Sequence, residues 1–401
     1  MRRRSYLTAT VATMGIGGCF GNVDDDARVA PDEHGSDRVK KMSAGVLDDF
    51  EDLSRWTVGR GEISTISNHT ENGSQSCQIT ASETEPRARI TVNFSDPVDC
   101  SDVVPGLLCR APKTIYPRIQ FFDSSGDRVD FRSAVVGGIP FHRPSFGIED
   151  VTADVDLTRI EQVQISLWVG DDDSGTIIVD ELFLVPRPDT GKVLIQFDDG
   201  YETDYTKAFP ILERYEYPAT TFVNPEYVGT ERSLSLEQIH KLDAAGWCVS
   251  SHAYEHSRLA KQNKQEQEAQ IRDAKDWLLE RGFERGADYF AYPFSSFNQQ
   301  TLELVDKYHS LGFAAGWPAN GHISDRTLCP RVGDPSFDQA RAILERTAEY
   351  RGISTLFYHD LNDEDLTEFE STISHLYELE SENELDVILP SELEREFAYS
   401  K

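Results

Sequence analysis

Strand-like and helix-like segments alternate from residue 193 to residue 389, and this alternation limits the fold more than any other feature. Short apolar segments occupy residues 193–197, 220–224, 247–250, 289–293, 313–316, 354–358 and 386–389, with helical segments between them. Consecutive parallel strands need a helical crossover, so the pattern predicts a parallel sheet. Seven such strands in about two hundred residues favour a distorted (β/α)7-8 barrel, which we place at residues 190–401.

Ionisable side chains follow three of these strands where the strands end. Two aspartates follow the first strand, two histidines the third and one histidine the sixth. They are Asp198, Asp199, His252, His256 and His359. Alone, Asp198-Asp199-Gly200 is also ordinary turn sequence. In a β/α barrel, however, the carboxyl ends of all strands open on one face, so we expect these side chains to form one site.

The residue types at these positions suit hydrolysis assisted by a metal. Asp199, His252 and His256 would supply one carboxylate oxygen and two imidazole nitrogens to a divalent ion. Three protein ligands leave coordination positions for water and substrate, as in catalytic sites. Asp198 would stay unligated and take a proton from the attacking water, while His359 would protonate the leaving group. The set predicts acyl hydrolysis.

Four segments in this order resemble the motifs of the polysaccharide deacetylases, carbohydrate esterase family 4, also called the NodB-homology family. They are Phe197-Asp198-Asp199-Gly200, His252-x-x-x-His256, Tyr292-Pro293-Phe294 and Leu356-Phe357-Tyr358-His359-Asp360. The resemblance covers residues 192–397 and rests on the ordered combination of motifs.

The resemblance also implies a role for each matched residue. Asp198 would be the general base, His359 the general acid, and the backbone N–H of Phe294 would help hold the tetrahedral oxyanion. The ligands of a Zn²⁺ ion, or of Co²⁺, Ni²⁺ or Mn²⁺ in its place, would be Asp199, His252 and His256.

The chain departs from the family pattern at two positions. Ala291 stands where many members carry an arginine that orients the catalytic base, and Ser295 replaces the usual glycine after the aromatic residue. Arg331, in Cys329-Pro330-Arg331-Val332, is a candidate cation near the site, with a surface arginine as the equal alternative. These departures leave the metal ligands intact and put the geometry of substrate binding, and activity itself, in question.

Residues 47–187 have a different pattern and predict a second domain. Short alternating segments at 89–94, 115–122, 162–169 and 176–183 lie between frequent turn residues, which favours an antiparallel β-sandwich. The two ends of the segment, at residues 49–52 and 178–182, resemble the ends of jelly-roll carbohydrate-binding modules. We expect this carbohydrate-binding-like domain to bind glycan weakly or not at all.

The jelly-roll resemblance also implies a structural Ca²⁺ near the ends of this domain. Glu51 and Asp180 are its candidate ligands, because acidic residues near the two ends of such modules often hold calcium. Ordinary turn carboxylates in an acid-rich chain are the alternative.

The first residues predict export and lipid anchoring. Arg2-Arg3-Arg4 precedes an apolar stretch too short to span a bilayer, which ends in Ile16-Gly17-Gly18-Cys19. Residues 1–19 therefore read as a signal peptide with a lipobox, suited to twin-arginine export, and Cys19 as the lipidated residue. Residues 20–46 would be a flexible tether, and the protein would lie on the outer face of the cytoplasmic membrane. An incidental cysteine in a cleaved peptide is the alternative.

Charge and cysteine content narrow the possible partners and bonds. Asp and Glu number 70 against 39 Lys and Arg, a net charge of −31, which predicts a halophilic protein and excludes a duplex nucleic-acid partner. An ordinary acidic secreted protein is the alternative. Five cysteines follow Cys19; Cys100 and Cys109 are close enough in sequence for a disulfide, and the odd number leaves at least one thiol.

These observations predict a hydrolase of non-peptide carbon–nitrogen bonds that removes acetyl groups from N-acetylated sugars of an extracellular or cell-surface polysaccharide. O-deacetylation of an acetylated polysaccharide is a second prediction, since the same attack by water cleaves esters. A non-catalytic glycan-binding lipoprotein is a third, and the presence of a complete set of ligands, base and acid argues against it.

Overall fold

The computed structural model describes residues 39–152, 154–171, 173–316 and 318–398. The predicted signal peptide, the predicted lipidation site Cys19 and most of the predicted tether lie outside the described residues. None of the helices in the described ranges combines the length and apolar character needed to cross a bilayer.

Residues 40–186 form two sheets in which nearly all neighbouring strands are antiparallel. The first has the order β1-β6-β11-β8-β9-β10, with β3 paired to β6, and the second has the order β2-β12-β5-β4, with β7 paired to β12. The strands are β1 (Lys40–Lys41), β2 (Gly45–Asp48), β3 (Thr57–Arg60), β4 (Glu62–Ile66), β5 (Ser76–Ala81), β6 (Arg87–Asp99), β7 (Val103–Arg110), β8 (Arg118–Asp123), β9 (Arg128–Arg132), β10 (Gly147–Val151), β11 (Ile160–Trp168) and β12 (Gly175–Pro186).

Both sheets contribute side chains to one hydrophobic cluster. Ile90 and Phe121 from the first sheet and Leu107 and Phe183 from the second are fully buried in it. Along β6, buried residues alternate with exposed or partly exposed ones from Arg87 to Asn93, as expected for a strand with one face on a core. The other face of the first sheet therefore carries polar side chains. The jelly-roll assignment of this part of the chain stays a prediction.

The five described cysteines are free thiols, and all of them are buried. The disulfide that the sequence allowed between Cys100 and Cys109 is therefore absent. Burial raises the pKa of the Cys100 thiol to about 12, so these thiols act as small apolar core groups rather than nucleophiles.

Residues 191–397 form a parallel barrel. Strand β13 pairs with β14 on one side and β19 on the other, which closes a ring of seven parallel strands, and β20 pairs with β13 outside that ring. The strands are β13 (Gly191–Phe197), β14 (Thr220–Val223), β15 (Cys248–Ser251), β16 (Tyr289–Ala291), β17 (Leu311–Ala315), β18 (Cys329–Gly333), β19 (Ile353–Tyr358) and β20 (Leu385–Val387). The predicted barrel is confirmed.

One ring strand differs from the sequence prediction. Strand β18 occupies the fifth crossover, where sequence analysis assigned none, and the last predicted strand, β20, lies outside the ring. Pro330 and Gly333 are unfavourable in strands, so they weaken the sequence pattern that would predict β18. Arg331 weakens it further, because it places a charged residue at a buried position. This strand brings Arg331, and Asp334 directly after it, to the mouth of the barrel.

Helices cover the outside of the barrel, and side-chain caps define where several of them begin. They are α1 (Phe209–Arg214), α2 (Leu236–Ala244), α3 (Lys264–Glu280), α4 (Gln299–Tyr308), α5 (Phe337–Glu349), α6 (Asp363–Ser381) and the short α7 (Pro390–Glu392). A capping box formed by Ser235 and Gln238 stands at the start of α2, where it satisfies two backbone N–H groups that have no partner within the helix.

Residues 187–191, which join the two predicted domains, are mostly buried, with Asp189 exposed. The guanidinium of Arg187 is buried and donates to the carbonyl oxygen of Tyr350 at 3.1 Å. The backbone N–H of Arg187 donates to the carbonyl oxygen of Asp102 at 2.9 Å. Burial lowers the pKa of Arg187 to about 10. Arg351 reaches back from the barrel and donates to Asp102 Oδ1 at 2.8 Å. These bonds hold the sheets against the barrel.

Candidate active site

The ends of β13, β15 and β19 bring the predicted site residues to one mouth of the barrel. Asp198 and Asp199 directly follow β13, His252 directly follows β15, and His359 directly follows β19. Because all three strands are parallel members of the same ring, their carboxyl ends face the same side. The predicted juxtaposition of carboxylates and histidines is present in the structure.

Asp199, His252 and His256 converge on a common point. Asp199 Oδ1 lies 3.3 Å from His252 Nε2 and 3.2 Å from His256 Nε2. One ligand atom from each of the three residues lies within 4.8 Å of the others. The two imidazole rings stack with their centroids 5.1 Å apart. The arrangement directs three potential ligands at one small volume.

The hydrogen bonds of these residues leave their inward atoms available to a cation. His252 Nδ1 lies 2.8 Å from the carbonyl oxygen of Ala291, which can only accept, so Nδ1 carries the proton and Nε2 is left with a lone pair. Asp199 Oδ1 is buried and has no hydrogen-bond partner, and an unpaired buried carboxylate oxygen is costly. A divalent cation would satisfy these acceptors together, so the residues present fit a metal. Among the described ranges, no other group of three His, Cys, Asp or Glu ligands has this geometry.

Asp198 is held by Arg331, a pairing that the sequence left open. Arg331 Nη1 and Nη2 donate to the two oxygens of Asp198 at 2.8 and 2.7 Å. Both side chains are almost fully buried, and the guanidinium lies 4.1 Å from the centre of the Phe357 ring. Arg331 is therefore a buried partner of the candidate base, and the alternative of a surface arginine is wrong. Arg331 therefore supplies a guanidinium to the site, although Ala291 occupies the position where many family members carry their arginine.

The charges around Asp198 favour its ionised form. Burial by itself would raise the pKa of this carboxyl group, but the positive charge of Arg331 and the hydrogen bonds it donates hold the pKa below its usual value. His252 Nε2 lies 3.9 Å from Asp198 Oδ2. The candidate base thus points at the same volume as the candidate metal ligands.

His359 has a carboxylate partner that sequence analysis missed. Its Nδ1 lies 2.6 Å from Asp334 Oδ2, and its backbone N–H donates to Asp334 Oδ1 at 3.0 Å. The hydrogen bond to Asp334 raises the pKa of His359 above its usual value despite partial burial. Asp334 directly follows β18. Had β18 been predicted as a ring strand, Asp334 would have been expected at the mouth of the barrel.

The aromatic–proline segment forms a tight turn beside His256. Phe294 and Ser295 both have positive φ, and the Phe294 ring lies 4.2 Å from the His256 ring and 4.3 Å from the Arg258 guanidinium. Ser295 Oγ accepts a hydrogen bond from the Ala315 N–H at 2.7 Å. The serine that replaces the usual glycine therefore takes part in fixing the turn.

Strained backbone is concentrated at this mouth of the barrel. Ten non-glycine residues of the described ranges have positive φ, and five of them are site residues or their direct neighbours in the chain: Asp199, Ala253, Phe294, Ser295 and Asp334. Residues that carry a Cβ rarely adopt this backbone conformation unless the surrounding structure stabilises it. Its concentration here indicates that the fold holds these residues in place for a purpose other than stability.

Of the two candidate calcium ligands, Glu51 lies in the bend after β2 and Asp180 lies in β12, and donors surround the oxygens of both. Glu51 accepts from the Ser74 N–H at 2.7 Å and from the Ser74 hydroxyl at 2.5 Å. Asp180 accepts from the Asn72 N–H and the Ser76 hydroxyl, each at 2.7 Å. Both carboxylates thus fasten the loop before β5, a role that needs no ion. Bound Ca²⁺ stays a prediction.

The seven-stranded parallel β/α barrel thus carries an Asp–His–His group and a buried carboxylate at its mouth. The family described as Polysaccharide deacetylase matches residues 186–313. The resemblance seen in the sequence is therefore confirmed for a polysaccharide deacetylase domain in that segment. The match ends before Arg331, Asp334 and His359, whose placement rests on the structure.

Curated relatives match about a third of the chain. YxkH of Bacillus subtilis, named as a candidate polysaccharide deacetylase, is 30% identical over 144 residues, which cover 35% of this chain and 51% of that protein. The poly-beta-1,6-N-acetyl-D-glucosamine N-deacetylase of Staphylococcus aureus (strain MRSA252) is 31% identical over 155 residues, with the same coverages. The chain thus spans about half the length of the curated relatives it matches.

Solved structures of family 4 esterases were also matched. The family 4 carbohydrate esterase from Streptomyces lividans, solved in complex with acetate, aligns with a TM-score of 0.40 and 17% identity over 52% of this chain and 97% of that one.

Proposed function

We propose that this protein is a metal-dependent hydrolase that removes acetyl groups from the N-acetylated sugars of a polysaccharide. The observation that carries the proposal is the convergence of Asp199, His252 and His256 beside a carboxylate, Asp198, that Arg331 keeps oriented and ionised. The family match over residues 186–313 supports it, as does the similarity to an N-deacetylase of poly-N-acetylglucosamine.

The ligand set suits Zn²⁺, with Co²⁺, Ni²⁺ or Mn²⁺ as alternatives. Two neutral imidazole nitrogens and one carboxylate oxygen are typical of catalytic zinc sites with an open position. When bound, such an ion supplies Lewis acidity, which polarises an acyl oxygen and makes water a better nucleophile at neutral pH.

The chain's own residues supply the proton transfers and the positioning. Asp198, ionised and fixed by two hydrogen bonds, is placed to take a proton from water entering the site. His359, with Nδ1 bound to Asp334, can deliver a proton from Nε2 to the leaving nitrogen. The turn at Phe294 offers a backbone N–H to the oxyanion.

Acetate release distinguishes this proposal from its alternatives. We expect release from N-acetylglucosamine oligomers to exceed release from acetylated xylan at equal acetyl concentration. The reverse order would establish the O-acetyl esterase. An absence of release from both, with metal bound, would favour a non-catalytic binder.

The ion pair between His359 and Asp334 predicts a shift of the pH profile. A general acid must be protonated, so activity should fall as pH rises through the raised pKa of His359. In Asp334→Asn that pKa falls, and the alkaline limb of kcat/KM should move to lower pH. The free energy of unfolding should also fall as pH rises. A histidine whose pKa is higher in the folded than in the unfolded state stabilises the fold below its unfolded-state pKa, and this stabilisation is lost as pH rises through its folded-state pKa. An unshifted alkaline limb would contradict the role of His359.

We also propose that the mature protein is exported and held on the outer face of the cytoplasmic membrane by lipid on Cys19. The arginine run and the Gly-Gly-Cys ending support this location. Each buried CH₂ of an attached chain would contribute about 0.8 kcal/mol to membrane binding. Cys19→Ser should therefore move the protein from the membrane to the soluble fraction. Equal membrane association of the processed variant would show that the anchor is something else.

A further inference from the structure

A row of arginines crosses the polar face of the first N-terminal sheet. By strand register, Arg60 of β3 pairs with Arg89 of β6, Arg89 with Ser166 of β11, Ser166 with Arg118 of β8, and Arg118 with Arg132 of β9. Paired residues of neighbouring strands project from the same face. With a spacing of about 4.8 Å between strands, the row spans roughly 19 Å.

An exposed tryptophan lies beside this row. Trp168 pairs with Arg87 in the register of β11 and β6, and 51% of its surface is exposed. Together with Arg60, Arg89 and Arg118 these two residues line a cleft of about 300 Å³, whose remaining lining residues are Ala88, Gln164, Ser166 and Leu167. No acidic residue lines the cleft. Gly59 leaves room for the Arg89 side chain, since a Cβ at this position would lie 2.9 Å from Arg89 Nε and displace it.

The positive charge of the cleft is only partly neutralised. Arg60 Nη1 lies 3.3 Å from Glu85, and Arg118 Nε lies 2.5 Å from Glu149. In the described ranges, Arg87 and Arg89 form no ion pair, and both are exposed. A chain with a net charge of −31 thus concentrates cations at one place, which indicates an anionic ligand. Guanidinium groups bind carboxylate and sulfate oxygens in paired hydrogen bonds.

We infer that this cleft binds an acidic polysaccharide, one that bears carboxylate or sulfate groups along the chain. The row of arginines matches an extended polyanion, and the flat indole of Trp168 offers a surface on which a sugar ring can stack. The hydroxyl of Ser166 lies between Arg89 and Arg118 in the strand register and suits a sugar hydroxyl. Sequence alone predicted weak or no glycan binding, and the register of the sheet changes that expectation. The inference does not depend on the proposed deacetylase activity.

The test measures binding of the full chain to polygalacturonate, dextran sulfate and uncharged dextran by titration calorimetry at low and high salt. Arg87→Ala/Arg89→Ala should weaken binding to the acidic polymers about tenfold or more, because each lost contact is a charge-assisted hydrogen bond. Trp168→Ala should weaken it as well. The matched control, Arg272→Ala/Arg341→Ala, removes two exposed arginines from α3 and α5 and should bind as the unmodified protein does.

Several outcomes would overturn the inference. They are equal weakening in the control variant, equal binding of uncharged dextran, and tighter arginine-dependent binding to phosphatidylserine vesicles or duplex DNA than to either acidic polymer. Preference for polygalacturonate or for dextran sulfate would identify the anionic group. Acetate release from a short soluble substrate should be the same in Arg87→Ala/Arg89→Ala and the unmodified protein, so failure of the binding test leaves the proposed function untouched.

Discussion

Replacement of Arg331 by methionine is expected to destabilise the barrel by about 3–5 kcal/mol and to abolish most of its activity. The change leaves Asp198 buried without its bidentate partner, and an uncompensated buried charge has a cost of that size. The pKa of Asp198 should rise once Arg331 is gone, because burial is the largest influence on this group and acts in that direction. A protonated Asp198 cannot accept a proton. Urea denaturation and acetate release would measure the two effects.

A second substitution separates stability from catalysis at this pair. Asp198→Asn in the Arg331→Met background removes the unpaired charge and should restore much of the lost stability, because the two sites are coupled. Activity should stay lost, because asparagine cannot act as the base. Full activity of Arg331→Met would show that another group keeps Asp198 ionised. A double variant no more stable than Arg331→Met would show that the charge of Asp198 is not what Arg331 compensates.

Replacement of His256 by alanine should remove the metal and the activity together. Loss of a residue that only orients a ligand typically lowers metal affinity about 10- to 100-fold, so loss of a ligand itself should cost more. His256 is the more accessible histidine of the pair, which reduces the risk of unfolding, and His252→Ala should show the same pattern. Metal content by mass spectrometry and acetate release would be measured on the same samples.

Asp198→Asn is the matched control for these histidine variants. It should keep the metal, because Asp198 lies outside the ligand group, and lose about 10²- to 10⁴-fold in kcat, the usual contribution of a general base. Metal loss in Asp198→Asn, or full metal retention in His256→Ala, would show that the roles of the two neighbouring aspartates and the histidines are assigned wrongly.

The position of the site could be predicted because it depends on strand ends. Apolar segments mark β13, β15 and β19 clearly, and the carboxyl ends of parallel strands meet by topology alone. The proximity of Asp199, His252 and His256 could therefore be predicted without any knowledge of side-chain packing. The tautomer of His252 could not be predicted, since it depends on the carbonyl of Ala291, which belongs to a different strand.

The partners of the acid and the base could not be predicted, because both depend on β18. That strand contains a proline, a glycine and a buried arginine, each of which weakens a strand signal based on apolar periodicity. Arg331 becomes recognisable as a buried ion-pair partner only when its strand lies opposite Asp198. Asp334 is likewise an ordinary turn residue until β18 places it under His359.

The arginine row of the first N-terminal sheet could not be predicted either, because it also depends on how the strands pair. Arg60, Arg89 and Arg118 are far apart in sequence, and only strand register brings them into one row. A shift of one residue in any strand would send its arginine to the core face.

The most direct test of the central claim compares three preparations of the unmodified protein: as purified, stripped with a chelator, and stripped then reloaded with Zn²⁺. Metal per chain and acetate release from an N-acetylglucosamine oligomer would be measured on each. The structure predicts one ion per chain, matching its single ligand group in the described ranges, with activity lost on stripping and regained on reloading. Undiminished acetate release by the stripped protein would contradict a metal-dependent deacetylase.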